Sequence, residues 1–260
     1  MSTSGYGEFE LDIPTIMRGT LPAYFDKLEA APLTFEEVSK IPEGAQGAYC
    51  LFLNEGLVYV GKTDAEAGFR QRLTRHFYNV QHRKNLNPSS ITFKAVRVFV
   101  FSTFDLETML INEYTKVLGS RPAWNTSGFG SNDPGRNREE QAPAQFDLLY
   151  PVDIDRHIDV PSPGEHDILL VMLLLKNHLP YVFRFESDGP GRGAWRQGHA
   201  HMRGVKVRIP AVPLTTRIVL QACLDVMGPD WQATVMPNRV ILYQENRTYT
   251  SQLEVLRGRP

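Results

Sequence analysis

"EGLVYVGKT", residues 55–63, is the stretch whose reading decides the fold. Letter for letter, Gly56 to Thr63 satisfies the phosphate-loop pattern G-x-x-x-x-G-K-[ST]. A phosphate loop must curl so that successive backbone N–H groups point at phosphate oxygens. Val58, Tyr59 and Val60 are β-branched or aromatic and favour extended backbone instead. Asn54-Glu55-Gly56 already supplies a turn in front of them, and no suitable acidic strand follows to complete a nucleotide site. The stretch therefore reads as a strand, Leu57–Gly61, joined to a preceding strand, Gly47–Leu53, through a three-residue connection containing glycine. No nucleotide is expected.

Working outward, apolar positions Phe69, Leu73, Phe77 and Val80 predict a helix over Glu66–Val80, and the alternation from Ile91 to Phe101 predicts a third strand. Ser102 and Asp105 have capping-box spacing at the start of a helix running to about Leu118, stopped by Gly119 and Pro122. Before the hairpin lies an acidic segment, residues 1–45, in which Pro14, Pro22, Pro32 and Pro42 are expected to leave an arm with one or two short helices. Linker-like residues at 159–164 separate a further region, expected to run helix (Glu165–Asn177), strand (Tyr181–Phe185), strand (Val205–Ile209), helix (Leu214–Met227) and hairpin (Gln232–Gln244). The fold class is α+β. The expected organisation is an arm (1–45), a central domain (46–157) and a C-terminal domain or elaboration (158–260).

Composition is that of a globular protein, with 260 residues, 42% hydrophobic and 22% charged, and a net charge of −1. Cys50 and Cys223 form no disulfide framework and read as core residues of a reducing compartment. The N-terminus lacks a basic-then-apolar signal pattern. The longest apolar run, Ile168–Leu175, is too short for a membrane span, so a cytoplasmic protein without a membrane partner is expected. Charge is concentrated locally. Between Lys62 and Arg97, eight basic residues face Asp64 and Glu66, a net of +6 suited to a phosphate backbone.

That segment also holds the residue types that phosphodiester hydrolysis requires. Arg72 and His76 are four apart and share a helix face, either as a catalytic pair leaning toward the hairpin or as part of a solvated basic helix. Glu107 lies on a stripe with Ile111, Tyr114 and Leu118. There it is paired, metal-bound, or a first-turn acid complementing the helix dipole. Tyr49 and Tyr59 sit on the two hairpin strands, each near a glycine, in Gly47-Ala48-Tyr49 and Tyr59-Val60-Gly61.

The ordered set of these motifs, with "FRQRLTRHF" and "ETMLINEY", resembles the GIY-YIG nuclease family. The resemblance implies a small central antiparallel sheet flanked by helices. It implies catalytic roles for Tyr49, Tyr59, Arg72, His76, Glu107 and Asn125, with Glu107 holding a single Mg²⁺, replaceable by Mn²⁺. "WNTSGFGSNDPGR" and "FDLLYP" look like the type II restriction endonucleases of that group that cut GC-rich palindromes such as CCGCGG, and the resemblance spans roughly residues 9–157. It implies site-specific hydrolysis of double-stranded DNA by a homodimer or higher homo-oligomer, in a cell that also carries the partner methyltransferase of a restriction-modification system. The alternatives are a GIY-YIG nuclease of repair or mobile elements, and a DNA-binding protein without catalysis. Lys62, Arg70, Arg75, Arg83, Lys84, Arg136, Arg138, Arg192 and Arg196 are the expected DNA contacts, because arginine and lysine neutralise phosphates and arginine pairs bidentately with guanine. His199-x-His201 lacks a third ligand at sensible spacing and is not assigned a metal.

Overall fold

The computed structural model describes residues 5, 12–63, 67–99, 105–126, 129, 142–189, 191 and 193–259. Ser102, Arg136, Arg138 and Arg192 lie outside the described residues. The chain divides into two compact units, one of residues 1–77 and 87–126, the other of residues 78–86 and 127–260.

In chain order the elements of the first unit begin with α1 (Ile13–Lys27), β1 (Ala31–Pro32) and α2 (Phe35–Ser39). The hairpin follows as β2 (Gly47–Leu53) and β3 (Gly56–Lys62), then α3 (Phe69–Gln81), β4 (Ile91–Arg97), α4 (Leu106–Leu118) and α5 (Ala123–Thr126). All of Gly56–Lys62 is strand, which removes the curled backbone a phosphate loop needs. The connection is one residue shorter than expected. Asn54 and Glu55 both take positive φ, 48° and 69°, as a two-residue hairpin turn of type I′ requires, and Gly56 already pairs with Leu53.

The sheet is antiparallel throughout, in the order β1-β4-β2-β3. Strand period puts Ala48, Cys50, Val60 and Val96 on one face, where they join a core with Leu21 and Phe25 of α1 and Met109, Leu110 and Ile111 of α4. Tyr49, Leu51, Phe93 and Tyr59 take the opposite face, and Phe69 of α3 packs edge-on against Tyr49. Pro22, expected to interrupt the N-terminal segment, instead lies inside α1. An interior proline costs about 3 kcal/mol, whereas Leu21 and Phe25, 6% and 0% exposed, each contribute about 1.5–3 kcal/mol by burial. The cap of α4 is Asp105 itself, which accepts from the Thr108 N–H and hydroxyl, and Gly119 ends the helix at φ 71°.

The second unit contains α6 (Gln145–Leu149), β5 (Gly164–Asp167), α7 (Ile168–His178), β6 (Val182–Phe185), β7 (Lys206–Ile209), α8 (Thr216–Met227), β8 (Trp231–Met236), β9 (Arg239–Gln244) and β10 (Glu254–Arg257). Its main sheet runs β10-β8-β9-β6, with β6 parallel to β9 and the other pairs antiparallel. Ile168, Val171, Met172 and Leu175 of α7 and Val219, Leu220, Cys223 and Leu224 of α8 share one core with Phe183, Trp231 and Ala233. Glu165–Asp167, expected to open a helix, is strand paired with β7, and Asp167 caps α7 by accepting from the Leu169 N–H. Both cysteines are buried and free. Among the described residues no helix is long and apolar enough to cross a membrane.

Candidate active site

The two hairpin glycines mark where other groups come closest. Tyr49 is opposite Gly61 in the β2–β3 register. A Cβ at position 61 would lie 2.5 Å from the Tyr49 ring and 2.6 Å from its hydroxyl, so the bare glycine is what lets the phenol cross the strand. A Cβ on Gly47 would lie 2.1 Å from the Val96 carbonyl and 3.1 Å from the Phe69 ring. Glycine at 61 is thus dictated by the Tyr49 phenol, and glycine at 47 by the close approach of the β4 backbone at Val96 and Val98.

Tyr49 is 1% exposed, and its hydroxyl lies 2.8 Å from Nε2 of His76 on α3. The Tyr59 ring completes a three-ring cluster, with centroids 6.0 Å from Tyr49 and 5.2 Å from His76. Burial makes charge expensive here. It lowers the His76 imidazole to about 3, helped by Arg75 and Arg72, so the ring is neutral across the neutral range. Burial and the neighbouring Tyr59 raise the Tyr49 phenol despite Arg72, and Tyr59 is raised by burial and by Glu107. The phenols are therefore protonated in the resting site, because desolvation outweighs the pull of the cationic neighbours.

Glu107 occupies the first turn of α4 and is half-buried. Burial raises its carboxyl pKa, with Lys62, Arg72 and Arg121 pulling down and Asp105 pushing up. Among the described residues its carboxylate makes no hydrogen bond or ion pair, and no group of three metal-ligating side chains occurs. Arg121 was not singled out in the sequence. It stands in "RPAWN", in front of a residue that reads as a turn former, and only the fold brings it within electrostatic reach of Glu107.

Asn125 acts on backbone. Its Oδ1 accepts from the Val60 N–H and its Nδ2 donates to the Val60 carbonyl, both at 2.8 Å. Since β3 is an edge strand, the side chain substitutes for a missing neighbour and holds the strand that carries Tyr59 and Gly61. In the resting site Asn125 is thereby a positioning residue for the strand that carries Tyr59. Asn125→Asp keeps an acceptor for the N–H but turns a second acceptor onto the Val60 carbonyl. It is expected to cost about 1–3 kcal/mol in urea unfolding, and a loss below the error of that measurement would contradict the geometry.

The expected DNA contacts separate. Lys62 pairs with Asp105 at 2.9 Å on the surface, and Arg70 is exposed while donating to the Ile41 carbonyl. Arg75, Lys84 and Arg196 are exposed, Arg196 lying 4.5 Å over the Trp195 ring. Arg83 is a correction. It is 4% exposed, ion-paired to Asp147 at 2.8 Å, bonded to the Tyr150 carbonyl and Asn79 Oδ1, and stacked on Phe146. Its guanidinium is a structural staple of the second unit, because every face of it already meets protein. His199 and His201 pack on the Trp231 ring.

Two glycine-flanked tyrosines on adjacent strands, an arginine and histidine on the following helix and a glutamate on the next are brought together in the first unit. Residues 56–155 match the family described as the Eco29kI GIY-YIG domain, a restriction endonuclease family. The match starts at Gly56 and so takes in Tyr59, Arg72, His76, Glu107 and Asn125. Tyr49 joins them through strand register and its contact with His76. No curated protein matches the chain.

Proposed function

We propose that this chain is a type II restriction endonuclease that hydrolyses DNA phosphodiester bonds at a short GC-rich palindrome of the CCGCGG kind. In this reading it acts in the cytoplasm beside a DNA methyltransferase that protects the host. The observation that carries the reading is the Tyr49–His76 contact in a cluster with Tyr59, electrostatically coupled to Arg72 and Glu107. One such site per chain cuts one strand, and identical subunits read a palindrome through two-fold symmetry, so the working form is a homodimer. The central domain (46–157) carries the chemistry, and residues 158–260 contribute DNA contacts or oligomerisation.

In this mechanism the Tyr49 hydroxyl donates to Nε2 of the neutral His76, leaving the phenol oxygen to accept a proton from the attacking water. As the water oxygen bonds to phosphorus and the P–O3′ bond breaks, that proton passes through Tyr49 to the imidazole, whose proton affinity the bound phosphate's negative charge raises above that of the resting site. Arg72 offsets charge building on the non-bridging oxygens, and Tyr59 orients the phosphate. The donor set at Glu107 fits Mg²⁺ or Mn²⁺, since a half-buried carboxylate with no protein partner among the described residues provides the hard oxygen these ions take alongside phosphate and water. When bound there, the cation supplies Lewis-acid stabilisation of the leaving 3′-oxygen. The exposed cations Lys62, Arg70 and Arg75 of the first unit, and Lys84 and Arg196 of the second, are the phosphate contacts in this reading.

Incubating the protein with unmethylated phage DNA, with and without Mg²⁺, tests this. Discrete fragments that require the metal are expected, and Glu107→Ala should slow their formation about 10³-fold or more. A smear would remove site specificity. No cutting with either metal on several DNAs would remove catalysis.

A further inference from the structure

The sheet face that carries the tyrosines continues to the end of β4, where its residues leave the core. Tyr49 pairs with Ala95, and the next pair on the same face is Gly47 with Arg97. Arg97 and Tyr49 are therefore diagonal neighbours on one face, with Cα atoms ~7–8 Å apart. Arg97 is exposed, and its guanidinium lies 4.5 Å over the ring of Phe99, the next residue of the same parity. Phe99 is 76% exposed. The backbone here is anchored: the Val98 N–H donates to the Gln46 carbonyl, and the Thr63 N–H donates to the Gly47 carbonyl. Thus the ends of β2, β3 and β4 meet where this pair stands.

An exposed cation–π pair contributes only about 0.5–1 kcal/mol, and it leaves the Phe99 ring open to solvent, held over the Arg97 guanidinium beside the tyrosine face. A flat apolar face with a fixed positive charge beneath it matches one polymer chemistry: an apolar sugar and base edge next to a phosphate. Resting on the nuclease reading above, we infer that Arg97 and Phe99 form a DNA contact flanking the scissile phosphate, Phe99 packing on the sugar and base edge and Arg97 neutralising the adjoining phosphate. The charge of the first unit fits that occupant, since Lys62, Arg70, Arg72, Arg75, Lys94 and Arg97 outnumber Asp64 and Glu66 in its part of residues 62–97.

Binding of a short fluorescent duplex of mixed sequence in EDTA, titrated over a range of salt concentrations, separates the two contributions. Phe99→Ala should bind about tenfold more weakly with an unchanged salt slope, and Phe99→Trp should restore binding. Arg97→Gln should lower the slope of log K against log salt by about one. Melting temperatures should match wild type, because both side chains are exposed. Wild-type affinity and slope in both variants would overturn this inference and leave the nuclease reading standing. A change in sedimentation with unchanged DNA affinity would assign the patch to a second copy of the chain and overturn it likewise. Failure of the wild-type protein to bind duplex at low salt would overturn both readings.

Discussion

Asp147→Ala is expected to destabilise the protein by about 3–5 kcal/mol, the largest stability effect of any single substitution discussed. Arg83 and Asp147 are 5% and 3% exposed at their side chains, so removing the carboxylate leaves a guanidinium buried without its counter-charge. The pKa directions say the same of both partners. Burial lowers Arg83 and raises Asp147, each against the pull of the other, so desolvation exceeds their attraction. A pair of that kind is costly to break. Arg83→Met with Asp147→Leu should recover part of the loss, ending about 1–3 kcal/mol below wild type because the Tyr150 carbonyl and Asn79 Oδ1 lose their donor. Urea unfolding of the two single variants and the double variant gives the cycle. A loss under about 1 kcal/mol for Asp147→Ala would mean that the pair is solvated, and Arg83 would return to the DNA surface. The same variants separate the roles directly, because a phosphate-binding arginine replaced by methionine changes the salt slope of DNA binding and not the unfolding midpoint.

Arg83 also shows where the sequence stops being legible. In "QHRKN" it is one basic residue among several, and nothing local distinguishes a surface arginine from one whose partner is 64 residues away. The same holds for Asn125, a turn former by composition, whose function is to pair with an edge strand 65 residues earlier. Features encoded within one element were readable. The β-branched and aromatic residues Val58, Tyr59 and Val60 excluded the phosphate loop, the apolar spacing of Phe69 and Leu73 placed α3, and Gly119 placed the end of α4. Glu165–Asp167 was misread because its strand character comes only from pairing with Lys206–Ile209, about forty residues on, whereas the apolar run beginning at Ile168 dominates the local pattern. The spacing of Arg72 and His76 gave their shared face. What it could not give was depth: His76 ends 7% exposed because Tyr49 crosses over Gly61 to meet it, and that burial sets its ionisation.

His76→Gln and Tyr49→Phe are each expected to slow single-turnover DNA cleavage by about 10²–10⁴-fold, and the double variant by little more, because a relay interrupted once is already lost. The pH profile carries the sharper test. An imidazole in water takes up a proton near 6.5, but the buried ring resists protonation until about 3. Cleavage should consequently show no step near pH 6.5 that belongs to His76. A limb there that is present in wild type and missing in His76→Gln would mean that the ring ionises as in water, and the buried relay would be wrong. Stability follows with the same sign. Between about 3 and 6.5 the unfolded chain holds a proton on this residue that the folded chain refuses. Native stability from this group is thus complete above pH 6.5 and declines as pH falls toward 3. The decline should be smaller in His76→Gln, which has no proton to gain on unfolding. Denaturant midpoints of the two proteins at pH 7 and pH 4.5 suffice. A wild-type loss no greater than that of the variant would show that the imidazole is not held neutral by the fold. The proton acceptor beside Tyr49 would then have to be sought elsewhere in the site.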